Sequence, residues 1–213
     1  KLAAEKLKDK GEETKKAKIV IPDEKDTVTE TEVIIPKKSI DILTEQNASL
    51  EIETENARIS MQNESISGFS EDLYFRVVPI KEEKQRKNVE QRATTEGIVI
   101  QAAGKNGVSI VARPAIIETN MTDRDVDVTL PLRDVDIPDD PEEREEFLNN
   151  LFVFIEHSDG EKELIQGKLV TYKDNIFGLQ FTINKFSTFT ILNMGAQYDS
   201  DIKEQISGKD RYA

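Results

Sequence analysis

Residues 176–192 constrain this chain more than any other stretch. Phe177, Leu179, Phe181 and Ile183 alternate with Gly178, Gln180 and Thr182, and beyond Asn184 the alternation resumes with Phe189 and Ile191 against Thr188 and Thr190. A β-strand turns successive side chains to opposite faces, so large apolar residues at period two mark a strand with one dry and one wet face. Two such strands, joined at a bend, are predicted here. Four of the nine phenylalanines fall in this stretch, which places it in the closing part of a β core.

The remainder of the chain follows the same pattern. Ile19-Val20-Ile21 and Val33-Ile34-Ile35 predict short strands, each closed by a proline that cannot donate to a ladder. Residues 37–46 predict a short helix with Ile40 and Leu43 on one side and Ser39 near its start. Leu50 and Ile52, then Ala57, Ile59 and Met61, read as two strands around a tight turn at Asn56. Ile66 and Phe69 flank Gly68 in a loop, and Leu73, Phe75 and Val77 form a further strand. Hydrophobic residues nearly vanish from 81 to 96, where a mixed-charge run predicts a solvated loop and a point of subdivision. The β pattern returns at Ile98-Val99-Ile100, then at Val108 and Ile110, Ile116-Ile117, and Val126, Val128 and Leu130. Residues 134–146 read as an acidic loop with one helical turn at 142–146. Residues 147–155 are the most apolar segment and read as a central strand buried on both faces. A hairpin turn at Ser158-Asp159-Gly160 leads to Leu164-Ile165 and Leu169. Many short strands at close spacing predict a mainly β fold, an antiparallel β-sandwich (one large or two packed small) with short peripheral helices. Its expected span is residues 18–193, preceded by a charged helix or linker at 1–17 and followed by a linker from 194.

Composition removes several classes of function. The net charge of -13 sets the chain against nucleic-acid backbones and anionic membranes. The absence of cysteine excludes disulfides, thiol catalysis and thiolate metal sites. No run approaches the ~20 apolar residues of a spanning helix. No signal peptide is visible, and the chain starts and stops without a finished element, as a piece of a larger protein does.

Few residues carry chemistry. The single histidine, His157, stands beside a hairpin turn and reads as an exposed turn residue rather than a metal ligand. Asp123, Asp125 and Asp127, expected on one strand face, are the candidate calcium ligands. Their spacing is not that of an EF-hand, and the plainer reading is a solvated acidic edge that discourages edge pairing. Gly104-Lys105-Asn106-Gly107 is too short to cradle a phosphate and reads as a hairpin. No cofactor is implied. In Lys185-Phe186-Ser187 a serine hydroxyl lies next to a peptide carbonyl that it can attack, giving an ester and then chain cleavage. That step needs a base, and a lysine of ordinary pKa near ~10.4 is protonated unless deeply buried. The plainer reading is a serine at a strand bend.

Val126-Asp127-Val128-Thr129-Leu130-Pro131, an apolar Phe152-Val153-Phe154 strand, a short hairpin, and the run from Phe181 through Lys185-Phe186-Ser187-Thr188-Phe189 together resemble a domain of Gram-positive S-layer and cell-surface proteins. In such proteins a closing Phe-Ser-x-Phe/Tyr strand sits just before wall-anchoring repeats. The same closure is similar to the ZU-type β-sandwich of ankyrins and netrin receptors, whose early strands match Ala57-Arg58-Ile59-Ser60-Met61 and Leu73-Tyr74-Phe75-Arg76-Val77 loosely. Some ZU-type domains cleave themselves between Phe and Ser, with a histidine before the Phe; here Lys185 holds that position. The tail, Ile206-Ser207-Gly208-Lys209-Asp210-Arg211-Tyr212-Ala213, resembles the opening of a clostridial-type cell-wall-binding repeat. The resemblance implies a non-catalytic structural or interaction module, extracellular, at the cell wall or S-layer surface. Its partners would be neighbouring surface-protein domains and, through a following anchor, the wall polymer, with no nucleic acid and no membrane insertion. Two alternatives stand beside it: a self-processing domain cleaving between Phe186 and Ser187, and an adhesin that binds a host or matrix ligand.

Overall fold

The bend at residues 184–186 carries the chain from one β-sheet into another. In the computed structural model, which describes residues 15–104, 107–133, 135–174 and 176–195, the two strands flanking that bend are not hydrogen-bonded neighbours. The first sheet runs in the order β1 (Lys15–Val20), β3 (Ala48–Glu53), β4 (Arg58–Met61), β8 (Val126–Pro131), β12 (Ile176–Ile183) and β11 (Lys168–Lys173). The second runs β10 (Lys162–Gln166), β9 (Leu151–His157), β13 (Ser187–Asn193), β7 (Ala115–Thr119), β5 (Leu73–Pro79) and β2 (Thr31–Ile35), with the two-residue β6 (Ser109–Ile110) also paired to β13. The pairings are antiparallel except that of β1 on β3, which is parallel.

Alternation explains why both sheets bury one face against a common core. Leu50, Ile52, Ile59, Val128, Leu179 and Phe181 from the first sheet cluster with Leu73, Phe75, Val153, Ile155, Phe189 and Ile191 from the second. Phe181 of β12 and Phe189 of β13 meet across the bend with ring centroids 5.6 Å apart. A second crossing, from β10 to β11, passes Gly167, where a Cβ would run into Leu179. On the other side of the first sheet, β1 is tied to β3 by Lys16–Glu51 at 2.9 Å and by Lys18, which reaches both Glu51 and Glu53.

Helices cover part of the second sheet, where none was expected. Residues 81–96 are not a solvated loop: α3 (Glu83–Thr95) fills most of them, and Ile98-Val99-Ile100 belongs to α4 (Gly97–Ala103) rather than to a strand. Val89 and Ala93, four apart and so on one helix face, are the buried residues of α3. Ala93, Val99, Ala102 and Ala103 pack with Phe152, Phe154, Leu164 and Leu192 in a second core on the outer face of the sheet. Strands before and after these helices pair directly, β4 with β8 and β5 with β7. The fold is therefore a mixed one, two largely antiparallel sheets with several helices, rather than β with only short peripheral helices.

Other boundaries move for local reasons. Residues 147–149 end α5 (Pro141–Asn149), which starts where the Asp140 side chain accepts from the N–H groups of Glu142 and Glu143 with proline at the first helical position. β9 therefore begins at Leu151. It lies second from an edge rather than centrally, yet both faces are buried, one by the shared core and one by α3 and α4. The predicted helix at 37–46 is α1 (Lys37–Glu45), with Ile40 buried. Asn63–Ile66 forms a single helical turn, α2, where a loop was expected. Residues 15–17 belong to β1, not to a linker. Residues 1–14 and 196–213, including the repeat-like tail, lie outside the described residues.

Candidate functional site

The end of β9 and the start of β13 bring His157 and Ser187 together. They are direct partners in the antiparallel register. Directly opposed residues on one face have Cβ atoms about 4.5–5.5 Å apart. The face is the inner one, because Ile155 and Phe189, two residues further along each strand, belong to the shared core. His157 is 6% exposed and Ser187 8%. His157 is thus not an exposed turn residue: β9 runs through it, and the turn begins only at Ser158.

The contacts around this pair are specific. The Ser187 hydroxyl donates to the carbonyl oxygen of Phe186, and its Oγ accepts from the Ser158 N–H at 3.1 Å. The Phe186 ring packs edge-on against Phe75, centroids 5.5 Å apart. The His157 backbone N–H donates to Glu161 O at 2.9 Å, closing the hairpin to β10. Both imidazole nitrogens of His157 are buried without a hydrogen-bond partner, and the Glu163 carboxylate stands off at 3.9 Å from Nε2. Burial pushes the imidazole pKa down and outweighs the upward pull of Glu163. The ring is then neutral at pH 7, the form that can accept a proton.

Lys185 has no such capacity. Its ammonium binds both Asp159, at the hairpin turn, and Glu161, the latter at 2.8 Å. Those hydrogen bonds raise its pKa, so it stays protonated. The position that the family resemblance associates with a base is occupied by a structural cation. The imidazole comes instead from the neighbouring strand, 30 residues earlier in the chain (187 − 157). Sequence reasoning missed this pairing, although the apolar β9 segment and the closing strand were both visible; the missing link was that they are neighbours.

The candidate calcium ligands do not converge. Asp123 and Asp125 precede β8, Asp123 with a positive φ of 56°, so the three do not share a strand face. Asp127 lies within β8, where Oδ1 accepts from the Thr182 hydroxyl on β12. Among the described residues no three histidine or acidic side chains are grouped to hold a metal ion. No helix among them is long and apolar enough to cross a membrane.

No protein-family model matches the chain, and no curated protein matches it.

Proposed function

We propose that this chain is a non-catalytic structural or interaction module of a wall-anchored bacterial surface protein of the S-layer type, with its two sheets packed as an open antiparallel sandwich. The observation that carries the reading is the closing stretch: β12 and β13 each sit between two hydrogen-bonded strands, one in each sheet, and their phenylalanines meet in the shared core. A closing strand bonded on both sides resists being peeled away, which suits a spacer that transmits load between neighbouring domains and an anchor. The charged side chains around the closing bend support this, since Lys185 binds both Asp159 and Glu161. Fractionation of cells producing the full-length protein tests the location, with recovery in the cell-wall fraction expected and purely cytoplasmic recovery refuting it. Deleting residues 18–193 with the flanks retained tests the role: an altered surface layer with normal wall retention is expected. Loss of adhesion to host cells or matrix with an intact layer would favour an adhesin instead.

A second reading is favoured by one feature, the register pairing that sets His157 opposite Ser187 on adjacent strands. In it the Ser187 Oγ adds to the Phe186 carbonyl carbon, the C–N bond breaks, and an ester replaces the peptide. The hydroxyl proton passes through the neutral His157 imidazole to the departing Ser187 nitrogen. Water then hydrolyses the ester, leaving a Phe186 carboxylate and a Ser187 amine. A denaturing gel of the 24.1 kDa chain discriminates. Two fragments, one beginning at Ser187 and both lost in Ser187→Ala, are the expected product, and one uncut band even with hydroxylamine present rules the reading out. Cleavage undiminished in His157→Gln would keep the reaction but remove the imidazole from it.

A further inference from the structure

The two open sheets have four edge strands, β1 and β11 in the first and β10 and β2 in the second. An edge strand presents a row of backbone N–H and C=O groups without ladder partners, and proteins blunt such edges with lysines, bulges or covering elements. Three of the four are blunted. β1 carries Lys15, Lys16 and Lys18. β11 carries Lys168 and Lys173, with a register shift between Thr171 and Lys173. β10 begins at Lys162, holds Glu163, and packs its Leu164 under α4.

The fourth is not. β2 reads Thr31-Glu32-Val33-Ile34-Ile35, with no lysine, arginine, proline or glycine, and its pairing with β5 runs through without a shift. Its odd-numbered residues turn to the core: Val33 stands opposite Phe75, and Ile35 is buried. Its even-numbered residues turn outward, and Ile34 is 59% exposed. Glu32, on that outer face, and Lys38, at the start of α1, are exposed too. Among the described residues neither makes an ion pair. Arg76, which stands opposite Glu32, binds Glu30 and Glu118 instead.

We propose that the β2 edge is a self-association surface, which pairs antiparallel with β2 of a second copy about a two-fold axis at Ile34. An axis perpendicular to the sheet keeps the core faces of both copies on one side only where it passes through a residue, because side chains alternate along the strand. An axis through Glu32 opposes two like charges, and one through Val33 sets Glu32 against the partner's Ile34. The axis at Ile34 sets Ile34 against Ile34, Val33 against Ile35, and Glu32 against Pro36. Pro36 then falls at the end of the ladder, where its missing donor costs nothing. Lys38 follows two residues on, which brings the unpaired cation of each copy toward the unpaired Glu32 of the other. A ladder of five residues is at the small end of specific interfaces, so the dimer is a weak one, with a dissociation constant of about 10 µM to 1 mM. β2 is an open edge wherever the protein is located.

Sedimentation equilibrium of the intact chain at about 0.15 M salt tests the pairing, over concentrations from about 1 µM to 1 mM. The mass should rise from 24.1 kDa toward twice that value. Ile34→Lys puts two like charges at the axis and should leave a monomer throughout. Glu32→Lys and Lys38→Glu should each weaken association about tenfold, and the double variant, which exchanges the charges, should recover it to within about threefold of the wild type. Hydrogen exchange on the wild type needs no variant: the β2 amides should slow between dilute and concentrated samples, while those of β1, β10 and β11 stay unchanged. A monomer at about 1 mM overturns the proposal. So does association undiminished in Ile34→Lys, a double variant no stronger than the single ones, or concentration-dependent slowing at another edge and not at β2.

Discussion

The contact most exposed to a quantitative test is that between Phe181 and Phe189, because it is the point where the two sheets must touch. Phe189 is fully buried and Phe181 is 5% exposed. Truncating a buried phenylalanine to alanine costs about 3–5 kcal/mol, from the lost transfer free energy and from the cavity left behind. That is a large part of the ~5–15 kcal/mol available to a domain. The rings stand 5.6 Å apart at an interplanar angle of 40°, within the range where aromatic pairs add about 0.5–1.5 kcal/mol beyond area burial. Phe181→Ala and Phe189→Ala should each lower stability by about 3–5 kcal/mol, and the double variant should cost less than the sum by about that coupling. Urea unfolding measures all three. With a slope near ~2 kcal/mol/M, a loss of about 4 kcal/mol moves the midpoint by about 2 M. Should the alanine variants unfold, a Phe→Leu cycle at the same positions measures the same coupling. Additivity to within about 0.3 kcal/mol, with both single losses below about 1.5 kcal/mol, would mean that the sheets do not meet at this point.

Three further outcomes are expected. His157 has a depressed pKa through burial, so the folded state binds fewer protons than the unfolded one between the two values. Stability should be fully present above pH ~6.5 and fall as pH drops below it, by at most about 1.4 kcal/mol per pH unit; His157→Gln should remove this slope above pH ~4.5, as followed by melting across pH. Val99 is fully buried under the second sheet, and Val99→Asp would leave an unpaired charge there, releasing α3 and α4; hydrogen exchange should accelerate in both helices first. Burial pushes the Glu51 carboxyl up, while Lys16 and Lys18 pull it further down, so its contribution is present above pH ~4.3 and lost as acid protonates it. Replacing both lysines with alanine should cost about 1–2 kcal/mol at pH 7, a figure reduced because each is 40% or more exposed, and should flatten the acid limb of the unfolding profile.

Periodicity made most of the strands legible. Leu73, Phe75 and Val77, or Val126, Val128 and Leu130, admit one reading because each strand has one dry face. It failed at α3 and α4 for opposite reasons. In α3 the helix rests on Val89 and Ala93 among charged neighbours, so the apolar signal is two residues long, even though Glu, Lys, Gln and Arg favour a helix. In α4 the β-branched Ile98-Val99-Ile100 favours a strand locally, and packing on Phe152 and Phe154 overrides that preference. Nor can alternation say which sheet a strand joins. β12 and β13 are consecutive and similar in pattern, yet they are in different sheets. That single ambiguity hid the neighbour of Ser187, and so hid the site.

Once the register is known, the two functional readings turn out to depend on the same residues. Lys185 binds Asp159 and Glu161 and so fixes the closing bend to the β9–β10 hairpin. The same hairpin holds the His157 backbone through Glu161 and the Ser187 hydroxyl through Ser158. A purely structural bend would gain from a hydrogen bond to the imidazole, because two buried ring nitrogens without partners cost stability. A bend that carries proton transfer would keep one nitrogen free beside the hydroxyl. Replacing His157 with a residue of similar size but no polar atoms therefore tests the unpartnered imidazole by stability and separates the readings by cleavage. His157→Leu should stabilise the fold under both readings. It should leave the Phe186–Ser187 bond intact with no other effect under the first, and abolish an existing cleavage under the second. Unfolding midpoint and intact mass, measured on the same samples, distinguish these outcomes, and a destabilised His157→Leu would refute the premise that the imidazole is unpartnered.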